Sequence, residues 1–198
     1  MESRPFSQAC ANNQQPILEI LQPLFAGVDE VLEIGSGTGQ HAVYFGAAMP
    51  HLRWQCSDRP ENHAGIDAWR EAAALPNVLP PLALDVDAPW PVDSVPAIFS
   101  ANVVHIVGWP QVGKLFDGIA RHLRAPGIVC LYGPYNYDGR FTSESNARFD
   151  QWLKDRDPRS GIRDFERVDA LAREAGLVLQ ADHAMPANNR CLVWRLKA

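Results

Sequence analysis

In the stretch VLEIGSGTGQH, three glycines stand at alternate positions, Gly35, Gly37 and Gly39, after a short apolar run that carries an acid, Glu33. Gly35 and Gly37 would remove side chains where a ligand lies, and Gly39 would permit close packing as a helix starts. A helix beginning at the last of them would aim its unpaired N–H groups and positive dipole end at that ligand, favouring an anion. Two further acids follow apolar runs, Asp58 in RWQCSD and Asp85 in LALDV. An acid ending the strand after such a turn can accept both ribose hydroxyls and would repel a 2′-phosphate. Spacing narrows the ligand. A dinucleotide fingerprint G-x-G-x-x-G needs a glycine where Gln40 stands, and a phosphate loop G-x-x-x-x-G-K-[ST] needs a lysine that is absent. An NAD(P)-dependent oxidoreductase is therefore the weaker alternative.

Later segments offer reactive or recognising groups. In SANVVHI, Asn102 falls at a strand end and His105 just beyond it, making His105 the first candidate for a general base; its competing role is to pack the following loop. LYGPYNYDGRF places Tyr132, Tyr135, Asn136 and Tyr137 where aromatic walls and amides can line a small-molecule pocket. Asn188 and Asn189 in MPANNR suit either substrate contact or the left-handed positions of a tight turn. His41 reads as a partly exposed helix histidine, and Trp152 as part of a short helix covering the pocket.

The elements that must position these residues alternate. Strand-like runs at 30–35, 53–58, 78–86, 97–104 and 127–134 are separated by helical patterns at 39–50, 59–75 and 109–124. A polar stretch, 135–163, is too long for a plain connection and reads as a partly helical insertion shaping the pocket. A helix at 164–177 and two strands, 177–186 and 190–196, joined by a short turn, complete the pattern. Alternation implies a mostly parallel sheet with helices on both faces, and the short final turn forces one antiparallel strand. The expectation is a Rossmann-like, seven-stranded α/β sheet in a single domain, 1–198, with an N-terminal segment, 1–27, over the ligand site.

Composition bounds the rest. A hydrophobic fraction of 46% and charged fraction of 21% are ordinary for a globular chain. The net charge of −5 implies no cationic face, so nucleic acid is a poor partner. Cys10, Cys56, Cys130 and Cys191 lie far apart, which favours free thiols over a metal site or a disulfide framework. No secretory signal and no bilayer-length apolar run is visible; the expected location is cytoplasmic, with no membrane association. The oligomeric state is not readable.

The set E-x-G-x-G-x-G with acids after the second and third strands resembles the first motifs of class I S-adenosylmethionine-dependent methyltransferases. The segments FSQACANNQQPILEIL, VLEIGSGTGQHAVYF, LALDV, SANVVHI, LYGPYNYDGRFTSESNARFD and MPANNRCLVWR together resemble one uncharacterised family, domain of unknown function 938, which includes methyltransferase-like protein 26. The resemblance implies S-adenosylmethionine as methyl donor, S-adenosylhomocysteine as product and no metal. It implies cofactor binding by Glu33, Gly35, Ser36, Gly37, Gly39, Asp58, Arg59, Asp85, Val86 and Asn102, with Asp85 accepting from the adenine amino group and the Val86 N–H facing a ring nitrogen. Asn13, Tyr132, Tyr135, Asn188 and Asn189 are the candidate acceptor contacts. The family often carries a Glu-Arg pair ahead of the asparagine aligned with Asn13, where this chain has Ala11 and Asn12. The acceptor is an unidentified small molecule or exposed protein group, the former favoured. A cofactor-binding protein without catalysis is the other reading.

Overall fold

The computed structural model describes residues 4–198; residues 1–3 of the expected N-terminal segment lie outside them. Seven strands form one sheet: β1 (Glu30–Ile34), β2 (Arg53–Asp58), β3 (Val78–Ala83), β4 (Val95–Ala101), β5 (Leu123–Gly133), β8 (Leu177–Met185) and β9 (Asn189–Leu196). Their spatial order is β3-β2-β1-β4-β5-β9-β8. β9 runs antiparallel between β5 and β8, while β1 to β5 pair in parallel. A two-residue pair, β6 (Tyr135–Asn136) with β7 (Arg163–Asp164), ties the two ends of the polar stretch together.

Strand alternation divides the core into two layers. On one face Val31, Trp54, Cys56, Phe99, Cys130 and Val193 pack against α1 (Gln8–Leu24), α2 (Gln40–Ala48) and α3 (His63–Ala73) through Ile17, Leu21, Ala42, Phe45 and Ile66. On the other, Leu32, Ile34, Ile98, Val129, Leu192 and Trp194 meet α5 (Trp109–His122) and α7 (Phe165–Glu174) through Val112, Leu115, Phe116, Ile119, Val168 and Ala172. The buried residues of α5 recur at helical spacing, so one stripe of that helix faces the sheet. Cys56, Cys130 and Cys191 are buried free thiols and Cys10 is a half-buried one.

Two helices stand where the sequence reading placed no helix. α1 carries Pro16 and Pro23 inside it, which argues against a helix from sequence alone. Burial of Ile17, Leu18 and Leu21, with Ser7 accepting the Cys10 N–H at its start, outweighs the lost backbone bonds. The run 97–104 is not all strand: β4 ends at Ala101, Asn102 turns left-handed at φ 67°, and a short helix α4 (Val103–Ile106) begins. The polar stretch contains α6 (Glu144–Arg156), capped by Ser143.

Candidate functional site

The sheet order reverses direction between β1 and β4, which opens a crevice at their carboxyl ends. A cavity of about 590 Å³ lies there. It is lined by residues following each of four strands: Gly35 to Thr38 after β1, Asp58, Arg59 and Asn62 after β2, Asp85 to Asp87 after β3, and Asn102 and Val103 after β4. Ser7 and Cys10 of the N-terminal segment line it as well.

The three glycines serve three purposes, all with positive φ. A Cβ on Gly35 would come within 2.3 Å of the Val103 side chain, so this glycine admits α4 and is not simply a gap left for a ligand. A Cβ on Gly37 meets nothing within 4 Å; that residue faces the open cavity. A Cβ on Gly39 would lie 2.9 Å from Ile66 Cα, so this glycine lets α2 and α3 pack closely.

The acids differ in setting. Asp58 is buried, and its carboxylate accepts from the Gly37 N–H at 2.7 Å, the Arg59 N–H at 2.7 Å and Asn62 Nδ2 at 2.8 Å. A carboxylate offers about four acceptor sites, so it retains capacity at the cavity wall. Asp85 is exposed and accepts the Asp87 N–H at 2.9 Å, with half-buried Val86 beside it. Arg59 points outward and pairs with Glu61 at 3.2 Å. Glu33 does not line the cavity. It is buried behind Ser36, accepting from Ser36 Oγ at 2.8 Å and Trp54 Nε1 at 3.0 Å. Burial pushes its carboxyl up to about 7 against these two bonds. Its contact is with the turn and not with the cavity.

A second cavity of about 870 Å³ adjoins the first, and Ser7, Asn102, Ile106 and Asp157 line both. Asn13, Tyr132, His105, Phe149, Trp152 and Asn189 contribute to its walls. Tyr132 is buried, and that burial raises its hydroxyl to about 12, opposed by a hydrogen bond with Asn13. Tyr135 is elsewhere: it is 1% exposed inside the α5–α7 core layer, because it lies on the opposite side of the chain from the cavity. Tyr137 also leaves the cavity, donating to Asp182 at 2.7 Å and stacking on Phe165. In the turn, the left-handed residues are Ala187 and Asn188, while Asn189 is extended. Asn189 lines the cavity; Asn188 uses its carbonyl to accept from Asn146 Nδ2 at 3.1 Å.

Both candidate histidines are buried. His41, expected to be partly exposed, stacks on Phe45 and sets Nε2 2.7 Å from Asn13 Oδ1, since α1 covers it. His105 lies on α4 with its ring edge-on to Phe149 and no side-chain hydrogen-bond partner among the described residues. Its turn is clamped from outside: Gly161 N–H donates to the His105 carbonyl at 2.9 Å, Ser160 Oγ to that of Ile106, and Arg163 to those of Val104 and Val107. Burial holds His41 at about 4, and burial plus the Arg163 charge holds His105 at about 3. Both rings are neutral at physiological pH. In a histidine NMR titration from pH 5 to 8, neither ring is expected to shift; a midpoint near the ordinary 6.5 for His105 would contradict this placement.

The family described as "Protein of unknown function (DUF938)" matches residues 4–196. The chain belongs to this family. Solved structures give the DUF938 chain its fold. An O-methyltransferase family protein from Burkholderia thailandensis superposes with a TM-score of 0.84 at 14% identity, covering 93% of this chain. An O-methyltransferase family 2 protein from Planctomyces limnophilus, in complex with apigenin, gives 0.81 at 18% identity, covering 93%. The S-adenosylmethionine-dependent methyltransferase SibL in its apo form gives 0.80 at 21% identity, covering 96%. The chain spans 56% of the length of each of these three. The DUF938 chain thus has the Rossmann-like fold of class I methyltransferases. Among its described residues no helix is long and apolar enough to cross a membrane.

Ser7, Cys10, Asn62, Phe149 and Arg156 line the cavities without any motif to announce them. Phe149 had a local signal, its helical spacing to Trp152, while the run Lys154 to Arg159 that holds Arg156 reads from the sequence as a solvated face more than an anion site.

Proposed function

We propose that this chain transfers a methyl group from S-adenosylmethionine to a small-molecule acceptor. The observation that carries the reading is the meeting of two cavities at Asn102, one framed by the glycine turn and two acids, the other by apolar and amide side chains. The names of the structural neighbours point the same way.

The residues present fit an adenosyl ligand. Asp58 retains acceptor capacity for one ribose hydroxyl, Asp85 and Val86 line the same cavity and suit an adenine edge, and open space at Gly37 admits the ligand against backbone. When bound, the cofactor supplies an electrophilic methyl carbon. What the chain supplies is position: displacement at that carbon needs the nucleophile held in line at about 3–3.5 Å. Asn102, fixed by its N–H to the Tyr132 carbonyl at 2.8 Å, lies on the boundary between the two cavities. Methylating an O–H or N–H releases one proton. His105 lines the second cavity with Asn102, and its neutral ring can accept a hydrogen bond from that O–H or N–H and so orient the nucleophile.

Calorimetry with S-adenosylhomocysteine tests the reading. Micromolar binding is expected, and Asp58→Ala should weaken it by roughly 1–3 kcal/mol, the scale for bonds to a charged group. No heat with either S-adenosylhomocysteine or S-adenosylmethionine would sink the proposal; unchanged affinity in Asp58→Ala would move the ribose contact elsewhere.

A further inference from the structure

One stripe of α6 forms a ladder along the second cavity. Phe149 meets the His105 ring with centroids 5.6 Å apart, Trp152 stacks beside Phe149 at 5.6 Å and 18°, and the Arg156 guanidinium lies 4.6 Å from the Trp152 centroid. Residues three and four apart share a helix face, so the sequence itself sets this order, from the neutral buried ring outward to a cation. Trp152 is 49% exposed, leaving apolar surface uncovered at the mouth.

The charge balance of that cavity is uneven. Its two charged lining residues are Arg156 and Asp157. Asp157 is taken by Arg159, through Nε at 3.1 Å and Nη2 at 2.9 Å. Arg156 has no carboxylate partner among the described residues and rests only on Trp152. A chain of net charge −5 thus keeps one cation without a carboxylate partner at this opening. The cation sits in the last turn of α6, where the helix dipole is negative. That negative end opposes any anion brought to Arg156, and opposes a dianion such as phosphate more than a monoanionic carboxylate. A guanidinium fork matches a carboxylate.

We propose that the second cavity takes an aromatic carboxylate, its apolar body along Phe149 and Trp152, its carboxylate on Arg156, and its far end beside His105 and Asn102. This rests on the methyl-transfer reading for what the ligand is for, and on α6 alone for its binding.

The test is calorimetry on the full chain, with and without saturating S-adenosylhomocysteine, using naphthalene carboxylate and its uncharged carboxamide as probes. The carboxylate is expected to bind roughly 10-fold tighter than the carboxamide, the scale of one charged hydrogen-bonded contact. Arg156→Gln should erase that preference and leave carboxamide affinity unchanged, and Trp152→Ala should weaken both. Arg148→Gln, on the same helix but paired with Glu144 at the surface, should change neither. No binding of either probe, equal affinities in the native chain, or a preference that survives Arg156→Gln would overturn the assignment. A preference seen in a chain that fails to bind S-adenosylhomocysteine would instead strike the methyl-transfer reading and leave this one standing.

Discussion

Gly39→Ala should destabilise the fold by about 3 kcal/mol, combining left-handed strain with overpacking. The new Cβ would sit 2.9 Å from Ile66 Cα and 3.2 Å from the Ile66 carbonyl oxygen, with φ at +86°. Both neighbours are backbone of α3, so no side chain can rotate away. Relief requires α2 and α3 to part, which opens the layer held by Phe45 and Ile66. For a chain of this length a loss of that size lowers the melting temperature by roughly 10 °C. Gly37→Ala separates the site from the scaffold. Its Cβ meets open space, so stability should fall only by the backbone strain, about 1 kcal/mol, while affinity for S-adenosylhomocysteine drops. Thermal melts and calorimetry on the pair decide it. A Gly39→Ala chain that melts like the native one would remove the packing role given to that glycine.

Stability should be lower at pH 5 than at pH 7, by about 2 kcal/mol net. His41 and His105 are held at about 4 and about 3, below the ordinary 6.5. Unfolded chains therefore bind more protons than folded ones below pH 6.5, so the histidine contribution is full above 6.5 and is lost as pH falls toward 4 and 3. Glu33 works the other way. Its carboxyl is raised from 4.5 to about 7, so its contribution is full below 4.5 and is lost as pH rises through 7. The two histidines outweigh the single glutamate between pH 4.5 and 6.5, which sets the net sign. Glu33→Gln removes the opposing slope and should steepen the loss at acid pH; His105→Gln should make it shallower. Urea midpoints at the two pH values measure this directly, and a native chain more stable at pH 5 than at pH 7 would overturn the assignment of at least one of the histidines.

The pH prediction depends on groups whose burial was not visible in one dimension. Glu33 was legible as part of the glycine motif, yet its carboxylate faces Ser36 and Trp54, because β1 and β2 lie in register and bring Trp54 across to it. His41 occupies the start of α2 as expected, but α1 folds over it; the sequence reading placed the N-terminal segment over the ligand site and not over this ring. Tyr132 and Tyr135 stand three apart in one polar-looking run; the backbone turn after β5 sends one to the cavity and the other into the α5–α7 layer.

The sequence by itself determined the alternation of strands and helices, the antiparallel final strand, the glycine turn and the acids that end β2 and follow β3. These are local: they depend on side-chain period, turn chemistry and connection length, all written along the chain. Tertiary structure alone decided which surface each side chain faces. It buried both histidines, withdrew Glu33 from the cavity, set Gly35 against α4, and aligned Phe149, Trp152 and Arg156 along the opening beside His105. Those outcomes rest on contacts between residues far apart in sequence, where burial and electrostatics are set by whatever packs on top.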